Sequence, residues 1–298
     1  VEHTAYLKEY QQTPSPKKDL EKIPMLSRGD LDTKARKIDL QTYEHEGTTI
    51  LHHKLNTNGI HYFNMVFDIS EIGIEDLCYT GMLERFIGLV DTKNYSYTDL
   101  NNEINLSTGG ISTSMSMYNV YGTGDKYRIT FEVRSKFLFE DAKAAKNLIE
   151  EMILESDFSD EKRLHELILQ DKSRMEMILN SAGHQLAATQ AKARYSKKAV
   201  IADHSAGVAY YRFISDLDEN FDSKKADIIA RLTKLCRIIF SSERLIVSST
   251  GKNEALAQSK ELISDIKPKL SKGLSFDKAS EVKTYDKNTA YKDASQIQ

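Results

Sequence analysis

Between Lys126 and Arg134 the apolar side chains of Tyr127, Ile129, Phe131 and Val133 alternate strictly with Lys126, Arg128, Thr130, Glu132 and Arg134. Successive strand side chains leave opposite faces, so this period predicts a β-strand with one buried and one wet face. From Glu140 to Phe240 the period turns helical. Ala145, Leu148, Ile149, Met152 and Ile153 form one apolar stripe, and Ile228, Leu232, Leu235 and Ile239 form another. Strands first and helices afterwards confine the chain to the α+β class.

The other segments fit that frame. Thr48–Leu55 and Ile60–Phe67 flank Asn56-Thr-Asn-Gly, whose Asn-Gly pair suits a positive-φ turn, so a β-hairpin is predicted. Ile111–Tyr121 is predicted to pair with the alternating strand through Gly122-Thr-Gly-Asp. Glu75–Val90 has helical spacing at Leu77, Met82, Leu83, Phe86 and Leu89, and a second helix is expected from Thr98 to Leu106. Gly109-Gly110 ends that helix, since glycine tolerates the backbone angles needed where a helix gives way to a strand. Leu245-Ile-Val reads as a short buried strand within Ser242–Ser249, and Asn253–Ile266 as a helix stopped by Pro268. The expected architecture is a mostly antiparallel sheet with helices packed on one face. Three parts are expected: a helical start and linker over 1–24, where Thr13-Pro-Ser-Pro interrupts the helix; one α+β domain over 25–266; and a polar, weakly patterned tail over 267–298.

Composition narrows the function classes. Over 298 residues the formal charge is -3, with basic and acidic residues interspersed, so neither nucleic acid nor an anionic membrane is expected as partner. No apolar run approaches the roughly 20 residues of a membrane helix. Cys78 and Cys236 stand far apart in apolar surroundings and read as buried free thiols.

Each chemistry-bearing motif has a plainer reading. His165-Glu166 begins an H-E-x-x-H pattern, but the second histidine position is Leu169, so His165 is expected on a helix surface. Glu44, His45, Glu46, His52, His53 and His61 are the densest ligand-type cluster, yet His52 and His53 must face opposite sides of a strand. Asp203-His204-Ser205, with His184 further upstream, resembles a hydrolase triad only in order; a helix start with Asp203 or Ser205 near the cap is expected. Gly122 and Gly124 read as a hairpin turn and not as a phosphate loop.

Asn94-Tyr-Ser-Tyr-Thr-Asp-Leu and Glu103-Ile-Asn-Leu-Ser-Thr-Gly-Gly-Ile-Ser to Ser114 closely resemble a segment of the presequence-protease branch of the insulinase-like zinc metallopeptidases. The similarity extends from Leu7-Lys-Glu-Tyr-Gln-Gln-Thr-Pro and Lys22-Ile-Pro-Met-Leu to Arg244-Leu-Ile-Val-Ser-Ser-Thr-Gly. It matches the opening of the family's carboxy-terminal half. The resemblance implies two homologous halves, joined by a helical linker, that close around a chamber, with zinc held by H-x-x-E-H in the amino-terminal half alone. Here the equivalent stretch, Tyr79–Val90, holds Met82, Arg85 and Phe86, and neither Met82 nor Phe86 is a zinc ligand of the required type. The family's substrate-steadying R-V-K-G-G-A-Y stretch is also absent and would fall in a following domain.

The resemblance therefore implies a non-catalytic chamber domain with no catalytic or metal-binding residue of its own. Its partners would be the zinc-binding half and the following domain of the same polypeptide, together with unfolded peptide substrates. It would be cytoplasmic in a bacterium and organellar in a eukaryote. Its structural motif residues are Gly109 and Gly110. Two other readings are an inactive relative serving as a structural or interaction subunit, and a stand-alone hydrolase built on His45, His52, His53 and His61.

Overall fold

Six strands form one sheet: β1 (Leu40–His45), β2 (Thr48–Lys54), β3 (Ile60–Asp68), β4 (Ile111–Asn119), β5 (Tyr127–Leu138) and β6 (Leu245–Gly251), in the order β1-β2-β6-β3-β5-β4. The computed structural model describes residues 2–34, 37–123, 126–276 and 282–286. The alternating strand pairs as expected, with Met115 directly opposite Phe131 across β4 and β5. Gly122 forms the turn with φ of +76°, whereas Gly124 lies outside the described residues.

The sheet is mostly antiparallel as expected, but it is mixed, because β2 and β6 run parallel while every other pair is antiparallel. The parallel pair also splits the predicted hairpin. Asn58 and Gly59 do adopt positive φ (52° and 87°), but β6 lies between β2 and β3 and pairs with both. Bridging two strand spacings, roughly 9.6 Å, is within reach of the chain between Lys54 and Ile60.

The helices are α1 (Glu2–Gln12), α2 (Lys17–Leu20), α3 (Ile74–Phe86), α4 (Tyr97–Ser107), α5 (Ala142–Leu154), α6 (Glu161–Lys192), α7 (Lys197–Ala206), α8 (Val208–Glu219), α9 (Phe221–Ile239) and α10 (Asn253–Ile266). Ser96 opens α4 by accepting a hydrogen bond from the Asp99 N–H at 3.2 Å. Within α6 the backbone breaks at Ala182 (φ -133°, ψ 26°). Helices α3, α5 and α10 touch the sheet, and α6, α7 and α8 pack against one another with α7 and α8 on α3. The core lies between, where Phe63, Met65, Phe67, Phe131, Val133 and Val247 leave the sheet to meet Leu77, Met82, Ile149 and Ile263.

Residues of opposite parity, including Tyr62, Asn64, Ser112, Ser114, Thr130, Glu132 and Arg134, make up the other sheet face. That face is not uniformly wet, since Thr130 and Glu132 are each only 4% exposed. The chain divides into two compact units, Val1–Ile38 and Asp39–Gln298. In the first, α1, α2 and a 3-10 turn at Arg28–Asp30 have no buried residue among those described. In the second, part of the polar tail is packed: Val282 is buried, and the Tyr285 N–H donates to the Ala193 carbonyl at 2.9 Å.

Candidate functional site

Helix α3 occupies the stretch that the resemblance aligns with a metal-binding helix. Its apolar residues turn Met82 and Phe86 into the core, with exposures of 0% and 2%. Arg85 faces α7 and α8. Its guanidinium donates to the carbonyls of Gly81 and Ser205, the latter at 2.7 Å, and stacks 4.4 Å above the Tyr210 ring. Close contact with Ser205 requires glycine at 81, where an added Cβ would stand 2.5 Å from the Ser205 carbonyl oxygen.

Asp171 on α6 completes this cluster. It lies 3.7 Å from the Arg85 guanidinium, accepts from Arg174 Nε at 2.7 Å, and accepts from the Tyr210 hydroxyl at 2.5 Å. Burial raises the pKa of Tyr210 well above the ordinary range. Next to it, burial raises the Glu84 carboxyl, against the opposing effects of Arg85 and the Met115 backbone N–H. Thr113 ties β4 to α3 by donating to the Glu84 carbonyl at 2.6 Å. The phenyl ring of Phe86 offers no donor atom and the thioether of Met82 is a soft ligand that zinc does not favour, so the residues present do not fit that ion. The arrangement is an ion-paired lock between α3, α6 and α8.

The histidine cluster is also dispersed into packing. His45 Nε2 lies 2.9 Å from Ser264 Oγ, while His61 is fully buried beside Gln258 Oε1 (2.8 Å), Ser259 Oγ (3.1 Å) and Ser249 Oγ (3.2 Å). Burial lowers the pKa of His61 to about 4. His52 is 1% exposed, edge-on to Tyr43, and its pKa is lowered by burial. His53 is less buried, in keeping with the alternation. Among the described residues no group of three or more histidines, cysteines or carboxylates could hold a metal ion.

His165 stacks on Phe221 at 4.2 Å and meets Asp218 at 3.1 Å, while Leu169 is 44% exposed. Glu166 faces Arg163 at 3.5 Å. Asp203, His204 and Ser205 lie in the last turn of α7, not at its start, which corrects the expectation. Asp203 nevertheless caps the next helix, accepting from the Val208 N–H at 2.8 Å, and also binds Gln190 (2.6 Å) and the Tyr285 hydroxyl (2.5 Å). Ser205 Oγ donates to the Ile201 carbonyl at 2.6 Å, which removes it as a nucleophile. His184 is exposed on α6. His204 Nδ1 lies 3.7 Å from Cys78 Sγ, but burial pushes that thiol up to about 12. Cys236 is likewise pushed up to about 12 by burial. Neither thiol supplies a thiolate at neutral pH.

Sequence reasoning missed a second polar cluster, on the sheet face away from the helices. Glu132 there accepts from the Tyr118 hydroxyl (2.7 Å), the Thr130 hydroxyl (2.9 Å), and Arg134 Nε and Nη2 (2.9 and 2.6 Å). These donors outweigh burial and lower its pKa. Its sequence signal was slight: a glutamate between two residues of its own face, Thr130 and Arg134, each two positions away. With every acceptor position filled, the carboxylate organises a hydrogen-bonded cluster instead of acting as a base.

Together these elements form an α+β layer in which α3 carries an arginine lock. The chain belongs to the associated-domain family of peptidase M16, subfamily C, whose model matches residues 1–217. It is 32% identical to Protein HypA of Clostridium perfringens (strain 13 / Type A) over 263 residues, 88% of this chain and 27% of that protein. It is 28% identical to Presequence protease 1, chloroplastic/mitochondrial, of Arabidopsis thaliana over 253 residues, 85% of this chain and 23% of that one. The chain thus spans about a quarter of the length of these curated relatives. Among solved structures, the peptidase M16 inactive domain from Pseudomonas fluorescens matches with a TM-score of 0.56 at 12% identity, covering 83% of this chain and 54% of that one. A conserved protein from Enterococcus faecalis V583 matches at 0.53 and 10% identity, covering 75% and 52%. At these identities the structural likeness speaks for the fold. Among the described residues no helix is long and apolar enough to cross a membrane.

Proposed function

We propose that this chain is a non-catalytic wall domain of a presequence-protease-like zinc endopeptidase, and that it helps enclose a chamber where unfolded peptides are hydrolysed. The observation that carries this reading is α3 itself: it keeps its place beside β4 with Met82 and Phe86 buried where the two histidine ligands would stand, while Asp171, Tyr210 and the Ser205 carbonyl hold Arg85 where the water-activating glutamate would stand. The polar sheet face supports it, since hydroxyls, amides and a fully bonded Glu132 suit a surface that meets varied peptide backbones without sequence preference. Zinc and the substrate-steadying groups would come from other parts of the same polypeptide, in a bacterial cytoplasm or a eukaryotic organelle.

Hydrolysis of a quenched fluorescent peptide tests the proposal. The purified chain should show no turnover with added zinc or with a chelator, whereas the protein encoded by the full gene should show chelator-sensitive turnover. Chelator-sensitive activity in the chain alone, lost on His52→Ala with His53→Ala, would restore the stand-alone hydrolase reading. The second reading is an inactive relative that serves as a structural or interaction subunit. It predicts a full gene without an upstream H-x-x-E-H.

A further inference from the structure

A cleft of about 410 Å³ opens where the end of α4 meets β3 and β5. Leu106, Tyr62 and Leu138 wall it, with exposures of 80%, 39% and 44%. Tyr62 and Lys136 are register partners on β3 and β5, so their side chains leave the sheet on the same side as Arg134 and Glu132. Lys136 reaches the cleft by crossing Gly109, where an added Cβ would lie 2.8 Å from the lysine Cγ and Cε. The Gly109 N–H donates to the Lys136 carbonyl at 2.8 Å, and Gly110 takes φ of +120° to turn the chain into β4. The Gly109-Gly110 pair therefore does more than end α4: it clears a path for the Lys136 stem. Arg134 is neutralised by Glu132 and Arg128 by Asp68, but among the described residues no carboxylate or carbonyl engages the Lys136 ammonium.

An unpaired cation above exposed apolar walls selects an anionic group attached to an apolar one. We propose that this cleft binds the free carboxyl-terminal residue of an extended peptide, with the carboxylate on Lys136 and an apolar side chain against Leu106, Tyr62 and Leu138. Asp141 also lines the cleft, and the carbonyl end of α4 borders it, so both oppose an anion and leave Lys136 as the group that attracts it. The proposal rests on the chamber reading, because it takes the ligand to be a peptide. A purely structural Lys136, present to offset the negative end of α4, predicts no binding.

The test is titration of the chain, followed by NMR, with two acetylated peptides that both end in leucine, one as the free acid and one as the amide. The acid should bind about fivefold more tightly than the amide, the size of one exposed ion pair. Lys136→Gln should abolish that preference, Leu106→Ala should weaken both peptides alike, and Asp141→Asn should tighten the acid only. Unchanged circular dichroism would confirm that each variant folds. Equal affinity for acid and amide, a preference that survives Lys136→Gln, or no binding at millimolar peptide would overturn the proposal. Equal affinity for acid and amide in the unsubstituted chain, alongside normal hydrolysis by the full-length protein, would sink the cleft and spare the chamber reading. Acid preference in a chain whose full-length protein cleaves nothing would support the cleft and remove the chamber.

Discussion

His61 shows how burial converts a candidate ligand into a pH-sensitive core residue. Its pKa falls from 6.5 to about 4 on folding, so above pH 6.5 both states are neutral and its contribution to stability is complete. As the pH drops from 6.5 toward 4 the unfolded chain takes up a proton that the folded one refuses, and stability falls by up to about 3 kcal/mol. Urea melts across that window should show the slope, and His61→Gln should reduce it. Part should persist, because His52 and His204 are also lowered by burial. A slope unchanged in His61→Gln would refute this assignment. Asp171 makes a second residue-scale prediction. Replacing it with alanine strands Arg85 and Arg174 in a largely buried cluster and should cost about 3 kcal/mol in a denaturant melt. Neither role was legible in the sequence beyond residue type: the missing zinc ligands could be read from Met82 and Phe86, but Asp171, Ser205 and Tyr210 stand far along the chain from Arg85.

At the scale of elements, the contact of α3 with α7 depends on one glycine. Alanine normally favours a helix over glycine by about 1 kcal/mol. At Gly81 that gain is outweighed, because the new Cβ meets the Ser205 backbone at 2.5 Å and backbone cannot swing aside as a side chain would. Gly81→Ala should therefore destabilise by about 2 kcal/mol. Gly183 on α6 has nothing within 4 Å of a built Cβ, so Gly183→Ala should be neutral or stabilising by up to about 1 kcal/mol. Thermal melts should show Gly81→Ala clearly lowered and Gly183→Ala unchanged or raised, and a Gly81→Ala melt that is unchanged or raised would show that the α3–α7 contact is looser than described. Period and turn chemistry made most elements readable: Asn253–Ile266 is a helix as expected, and β4 pairs with β5. The hairpin at Asn58-Gly59 was misread because a local turn signal carries no information about β6, which arrives from far along the chain to separate the two strands.

For the whole molecule, sheet order decides where stability concentrates. Strand β6 is bonded on both sides by β2 and β3, and β3 by β6 and β5, so their amides can exchange only through an opening that breaks two ladders at once. They also carry Phe63, Phe67 and Val247 into the core, each contributing about 2 kcal/mol by burial. The Val1–Ile38 unit has the opposite character. Its α1 is 11 residues long, and Tyr6, Tyr10, Met25 and Leu26 are 61%, 70%, 84% and 80% exposed. A helix of that length without a buried face is marginal in water, since nucleation offsets what its hydrogen bonds contribute. Native-state hydrogen exchange should thus show α1 amides exchanging at nearly unprotected rates, while those of β3, β5 and β6 exchange only through global unfolding. Protection of Ala5–Tyr10 comparable to that of β6 would mean that the apolar side chains of the first unit are covered in solution, and would make that cover the next surface to identify.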